Sequence, residues 1–191
     1  MIFIEKKEEP EWLSEYKKNN PTAIYDSESF AGYREQLRDT LVLEQRSLCA
    51  YCCSHIKNDK AHNEHIEPRH PQNGVSTRSL DYSNIVASCN NKGTCGNKKK
   101  NEYDSKRFVS PLNPNCEEEF TYYPDGVIEG DQYTIDLLNL NAYELREARK
   151  AVYKTIKDLD KDTIELIYCQ GQDELPAFYN VISWFIKNSN V

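Results

Sequence analysis

The sequence predicts an α+β chain in which a small cysteine-bracketed module is flanked by N-terminal and C-terminal helices. Three observations predict it. Two closely spaced cysteine pairs, Cys49 with Cys52 and Cys89 with Cys95, bracket a segment bearing His and Glu. Apolar residues recur at helical spacing on either side: Phe30, Tyr33, Leu37 and Leu41 before it, and Leu145, Ala148, Val152, Ile156 and Leu159 after it. Such stripes are the buried faces of helices packed on a core. Between module and second stripe, residues 120–128 read as a β-hairpin turning at Pro124-Asp125-Gly126.

Taken in order, residues 1–5 alternate loosely as a short strand, and Pro10, Trp12, Leu13 and Tyr16 suggest a short amphipathic helix. Asn19-Asn20-Pro21 ends it. The first stripe predicts a helix over residues 27–46 that delivers the chain to Cys49. Asn141 with Glu144 three residues on forms a capping box for the helix of the second stripe. Residues 170–172 read as a loop, and a last helix is expected from about residue 174. Pro176 is tolerated in its first turn, and Phe178, Ile182 and Phe185 form its apolar face. The division expected is 1–47 as a packing segment, 48–116 as the module, and 117–191 as hairpin and helices, with no low-complexity linker between them.

Charge sharpens that division. The net charge of −7 is concentrated in residues 117–191, which carry 15 acidic and 7 basic side chains, whereas residues 1–116 carry 16 and 17. Within the neutral part, Lys92, Lys98, Lys99, Lys100, Lys106 and Arg107 form a basic run behind the second cysteine pair, suited to meeting phosphates. The N-terminus is too short and too charged for a secretory signal, and no apolar run is long enough to cross a membrane. A cytoplasmic protein is therefore expected. In that compartment thiols stay reduced, and clustered cysteines bind metal more often than they pair.

Zinc takes four N or S ligands in a tetrahedron, often from two short knuckles, so Cys49, Cys52, Cys89 and Cys95 read as a structural Zn2+ site. Cys53, Cys116 and Cys169 are left over. Two other readings compete. Cys49 and Cys52 alone have the spacing of a redox C-x-x-C, though no thioredoxin-like βαβ pattern surrounds them; and His62 with His65 are spaced to complete a zinc site with two of the cysteines. Zinc on four thiolates leaves a second cluster to be explained: His62, Glu64, His65, Asn84 and Asn97.

That cluster, in that order, resembles the HNH endonucleases, the ββα-metal nucleases. The resemblance rests on Glu64-His65-Ile66-Glu67-Pro68, on the mid-motif Asn84 and on Asn97 beside a cysteine and lysines, with cysteine knuckles bracketing the motif. The second knuckle departs from the family pattern in being C-x5-C, with the late Asn two positions after Cys95. The flanking blocks L-C-A-Y-C, E-H-I-E-P-R, L-D-Y-S-N-I-V-A-S-C-N, C-G-N-K-K and S-P-L-N-P-N-C-E-E-E-F make residues 41–145 similar to the HNH subunit of Septu and retron-linked anti-phage systems.

The resemblance implies a small ββα-metal core in which residues 62–66 form the first strand, the segment at 82–87 follows a loop of residues 69–78, and a helix beginning near Cys95 carries Asn97. It implies His65 as general base, and Glu64 and Asn97 as ligands of a catalytic Mg2+ or Mn2+, with His62 as an additional ligand. Strand alternation puts His62 and Glu64 on one face and His65 on the other. Either the strand is bulged, or Glu64 and His65 act from opposite sides of the scissile phosphate. Asn84 would fix the loop or hold the imidazole through a backbone carbonyl. The implied activity is hydrolysis of a nucleic-acid substrate, DNA first, with RNA such as tRNA as the alternative. The implied partners are an SMC- or ABC-like ATPase subunit and a retron reverse transcriptase with its DNA. The acidic C-terminal third, ending in Trp184 and Phe185, is a candidate docking surface for the ATPase, the alternative being that its helices only complete the core. A reading of another class is a zinc-stabilised adaptor for nucleic acid or protein that hydrolyses nothing.

Overall fold

The computed structural model describes residues 1–71, 76–169 and 173–188. The loop expected at 170–172 lies outside the described residues, as does part of that expected at 69–78. Among the described residues the chain is mixed α+β, with seven α-helices and two small two-stranded antiparallel sheets. No helix there is long and apolar enough to cross a membrane.

The N-terminal residues do not form the expected strand. Ile4 N–H donates to Pro111 O (2.8 Å) and Phe3 N–H to the Glu117 carboxylate (3.3 Å), so they meet a loop and a side chain instead of a ladder. Helix α1 (Glu11–Asn19) buries Leu13 and Tyr16 and ends where the Asn20 side chain donates to Tyr16 O, one residue before Pro21. The helix expected over 27–46 is divided into a 3-10 segment, Glu28–Tyr33, and α2 (Arg34–Glu44). Gly32 weakens a helix there, and the tighter turn seats Phe30, fully buried, against Tyr16 and Tyr25. Beyond α2, Arg46 and Ser47 take left-handed φ values of 51° and 64°, which turn the chain into the first cysteine pair.

Strand β1 (Ala61–His65) pairs with β2 (Ile85–Cys89) in unbroken antiparallel register, from Ala61 opposite Cys89 to His65 opposite Ile85. Residues 82–84, expected to begin the second strand, form a 3-10 turn capped by the Asp81 carboxylate. Every residue of β2 is buried. Its outer edge is closed by Gln45, whose side-chain amide accepts from Ala87 N–H (2.6 Å) and donates to Ala87 O and Leu48 O (2.8 Å each). Ala50 N–H adds a bond to Ala87 O. Helix α3 (Cys95–Lys99) follows β2, so strand, strand and helix succeed one another within 39 residues.

The second sheet is the expected hairpin, β3 (Phe120–Tyr122) with β4 (Ile128–Gly130). At its turn Gly126 has φ 84°, and a Cβ there would stand 2.0 Å from Arg146 O, so both conformation and space demand glycine. Helix α4 (Gln132–Leu138), capped by Asp131, was not legible in the sequence. Helix α5 (Tyr143–Ile156) stops short of Leu159 and lacks the expected capping box. The Asn141 side chain bonds both Ile128 N–H (2.9 Å) and Ile128 O (2.8 Å), and so continues the hairpin instead. Helix α6 (Lys161–Tyr168) is capped by Asp160. The last helix, α7 (Tyr179–Asn188), begins after Pro176, because Leu175 N–H is drawn to Arg46 O and Phe178 N–H to Cys53 O, with Phe178 at φ 58°.

One core draws on all three parts of the chain, through Leu37, Ile85, Leu138 and Ile182. Phe185 belongs to it, packed edge-on to Tyr153, and Trp184 is half-buried against Tyr122. Phe185 therefore faces the core, and Trp184 packs against that core while partly exposed. Gln45→Ala would leave two buried backbone groups, Ala87 N–H and Leu48 O, unpaired, while Ala87 O keeps its bond from Ala50 N–H. At about 1–3 kcal/mol for each such group after partial relaxation, urea unfolding is expected to show a loss of about 2–4 kcal/mol.

Candidate metal centre and the adjoining cleft

The sulfurs of Cys49, Cys52, Cys89 and Cys95 are buried and lie within 4.8 Å of one another. Tetrahedral zinc, with Zn–S bonds of about 2.3 Å, sets its sulfurs about 3.8 Å apart, so the four can bind a metal ion such as zinc with small adjustments. The backbone is shaped for it. Cys49 N–H and O bond Ser54 O and Cys53 N–H, and Cys53 takes φ 60°. Ser54 N–H points at Cys52 Sγ (3.5 Å) and Cys89 N–H at Cys49 Sγ (3.3 Å), donors of the kind that stabilise thiolates. Sulfur–hydrogen bonds from Cys49, Cys52 and Cys95 hold the Cys89 thiol far below its ordinary range. The C-x5-C knuckle closes through a turn in which Gly93 N–H meets the Asn91 side chain, and Cys95 adopts φ 55°. His62 and His65 lie outside this cluster, so the four ligands come from cysteine alone.

Both histidines belong to a neighbouring cleft of about 300 Å³. The unbroken register settles how β1 presents its side chains. There is no bulge; His62 and Glu64 share one face, with His62 Nε2 3.5 Å from Glu64 Oε2. Ligand atoms about 2.1 Å from a common ion stand about 3.0–3.4 Å apart, so this pair suits one divalent cation. Asn97 lines the same cleft from the first turn of α3, its side-chain amide donating to Asn91 O (3.2 Å). Gly96 makes room, since a Cβ there would come within 2.5 Å of Glu64 Oε2 and 2.7 Å of His62 Nε2.

His65 turns the other way and still lines the cleft, from the end of the strand. Its Nε2 lies 2.9 Å from Ser79 O, and the ring packs edge-on to Tyr25. A carbonyl only accepts, so Nε2 carries the proton and Nδ1 keeps the lone pair. Burial pulls this imidazole down to about 4, which leaves it neutral at pH 7. Burial also acts on His62 and Glu64, but their mutual interaction outweighs it: His62 is raised, and Glu64, aided by Lys99, is lowered. Asn84 is buried and fixes the loop, the first of the two roles considered for it. Its side chain accepts from Glu67 N–H (2.8 Å) and donates to Glu67 O (3.0 Å), while Asn84 O accepts from Ile66 N–H. The carbonyl that holds the imidazole comes from Ser79 instead.

The basic run is split by the helix. Lys92, Lys98, Lys100, Lys106 and Arg107 are exposed; Lys100 lines the cleft, and Arg107 lies over the Tyr133 ring. Lys99 differs from expectation: it is fully buried, bonded to Glu64 Oε1 (3.0 Å) and His65 O (2.9 Å). Four residues after Cys95, it shares the inward face of α3, so its ammonium is withdrawn from any phosphate at the surface. Sequence reasoning gave Tyr51, Ser79, Tyr25 and Gly96 no role beside Glu64 or His65. Only Gly96, next to a ligand cysteine, carried any signal, as a point of close approach.

Neither protein-family models nor curated proteins show a match to this chain.

Two outcomes are expected. Zinc analysis should return one ion per chain, and Cys89→Ser or chelation should sharply lower the thermal midpoint, because the binding free energy of such a site is folding free energy; an unchanged midpoint would contradict the assignment. Helix propensity alone makes Gly96→Ala stabilising by about 1 kcal/mol. The clash with Glu64 and His62 reverses the sign, to a loss of about 1–3 kcal/mol in denaturant unfolding.

Proposed function

We propose that this chain is a metal-dependent HNH endonuclease that hydrolyses phosphodiester bonds, of DNA in the first instance. The observation that carries the reading is a neutral imidazole with a free Nδ1 lining the same cleft as a His–Glu pair spaced for one cation. β1, β2 and α3 succeed one another in the order that the ββα-metal resemblance implies.

The residues divide the chemistry between them. His65 accepts the proton of the attacking water at Nδ1, while Ser79 O holds Nε2–H and so keeps the ring from rotating. His62, Glu64 and Asn97 would hold Mg2+ or Mn2+, which supplies positive charge to the phosphoryl group and the departing 3′ oxygen. Asn84 fixes the backbone that leaves β1, and so the direction from which His65 enters the cleft. Lys100 and Arg69 at the cleft add the charge that attracts a phosphate backbone.

Resemblance extends the proposal to an effector of anti-phage defence that works with an SMC- or ABC-like ATPase. Charge supports a partner: the C-terminal third, at net −8, opposes unaided binding of a polyanion. Among the described residues, the large exposed apolar side chains of that third are Tyr123, Tyr143, Leu166 and Ile167.

The test is cleavage of plasmid DNA and total cellular RNA with Mg2+ or Mn2+, with and without the ATPase, by the wild type and His65→Ala. Metal-dependent cutting of DNA that falls about 10²–10⁴-fold in the variant, at constant zinc content, is expected. Cutting of RNA alone would reassign the substrate. No cutting of either polymer would favour the adaptor reading, and activity surviving in His65→Ala would overturn the mechanism.

A further inference from the structure

We propose that Tyr51 and Lys99 are positioning residues that clamp one oxygen of Glu64, so that its other oxygen is presented to the cation in the cleft. The inference rests on the reading of the cleft as a cation site.

Glu64 Oε1 receives the Tyr51 hydroxyl at 3.3 Å and the Lys99 ammonium at 3.0 Å. Oε2 lies towards His62 Nε2 and Gly96. The two oxygens of one carboxylate thus have different surroundings, one saturated by buried donors and one open to the cleft wall. A carboxylate held in this way offers a cation one oxygen in one direction. Both donors are rigid. Tyr51 and Lys99 are fully buried, the Tyr51 ring packs edge-on to Phe108, and Lys99 is tied a second time, to the carbonyl of His65. The carboxylate oxygen only accepts, so the Tyr51 hydroxyl is the donor.

The origin of the two donors gives the clamp its meaning. Tyr51 lies between Cys49 and Cys52, and Lys99 lies one helical turn after Cys95. Each cysteine knuckle therefore contributes one donor to the same oxygen, and the thiolate cluster and the cleft are connected through Glu64. Lys99 as a mere counter-charge predicts the opposite sign on removal: a freed carboxylate and one positive charge fewer would bind a cation more tightly.

Mn2+ binding to the zinc-loaded full chain, measured from the loss of the free-ion EPR signal, tests this. Tyr51→Phe and Lys99→Met are each expected to weaken binding about 10–100-fold, with zinc content and thermal transition retained in Tyr51→Phe. Glu64→Gln is the reference for loss of the ligand. Wild-type affinity in Tyr51→Phe overturns the clamp, as does equal or tighter binding in Lys99→Met. Should Lys99→Met fail to fold, Tyr51→Phe decides alone. If Glu64→Gln binds Mn2+ as the wild type does, the cation reading itself fails and the clamp falls with it; if Glu64→Gln loses Mn2+ while Tyr51→Phe keeps it, only the clamp fails.

Discussion

Four buried sulfurs within 4.8 Å of one another are the constraint on which the rest of this structure depends. They come from two points 40 residues apart in the chain, Cys49 in the turns after α2 and Cys89 at the end of β2. Cys89 ends β2 and Cys95 begins α3, so bringing them to Cys49 and Cys52 fixes the strand pair, the helix and the entry from α2 at once. Gln45 completes the arrangement, giving the outer edge of β2 the partners that a third strand would give. The two-stranded sheet is too small to stand alone. Its stability is shared with the knuckles and with the core contributed by α2 and the C-terminal helices.

That frame gives the cleft its chemistry. Regular alternation along β1 separates His62 and Glu64 from His65, and position at the strand end lets all three reach one space. The separation has a chemical consequence. A base that shared the cation with Glu64 would lose its lone pair to the metal, whereas His65, on the other face and bonded through Nε2 to Ser79 O, keeps Nδ1 for a proton. Lys99 and Tyr51 then connect the carboxylate back to the knuckles. Sulfur site and cleft form one continuous polar arrangement.

The sequence made the four cysteines, the β1 residues and the hairpin turn legible because each is dictated locally: by ligand spacing, by a two-residue period, and by a glycine that turns at positive φ. It misled where tertiary contacts overrode local preference. Asn141 has the spacing of a capping box but bonds Ile128; Pro176 is compatible with a first helical turn but precedes α7; residues 1–5 alternate without a strand to pair with. Lys99 was read as one of a linear run of charges, although the helical period places it inward with Cys95. Tyr51 and Ser79 were invisible because their roles, a hydroxyl on Glu64 and a carbonyl on His65, depend on residues 13 and 14 positions away.

The central claim is that a cation in the cleft is ligated by His62 and Glu64 while His65 stays free as the base. Pulsed EPR of Mn2+ bound to the zinc-loaded chain, with histidine labelled by 15N, reads this directly. One histidine nitrogen coupling is predicted, lost in His62→Ala and retained in His65→Ala. A coupling that disappears in His65→Ala, or the absence of any nitrogen coupling, would contradict it.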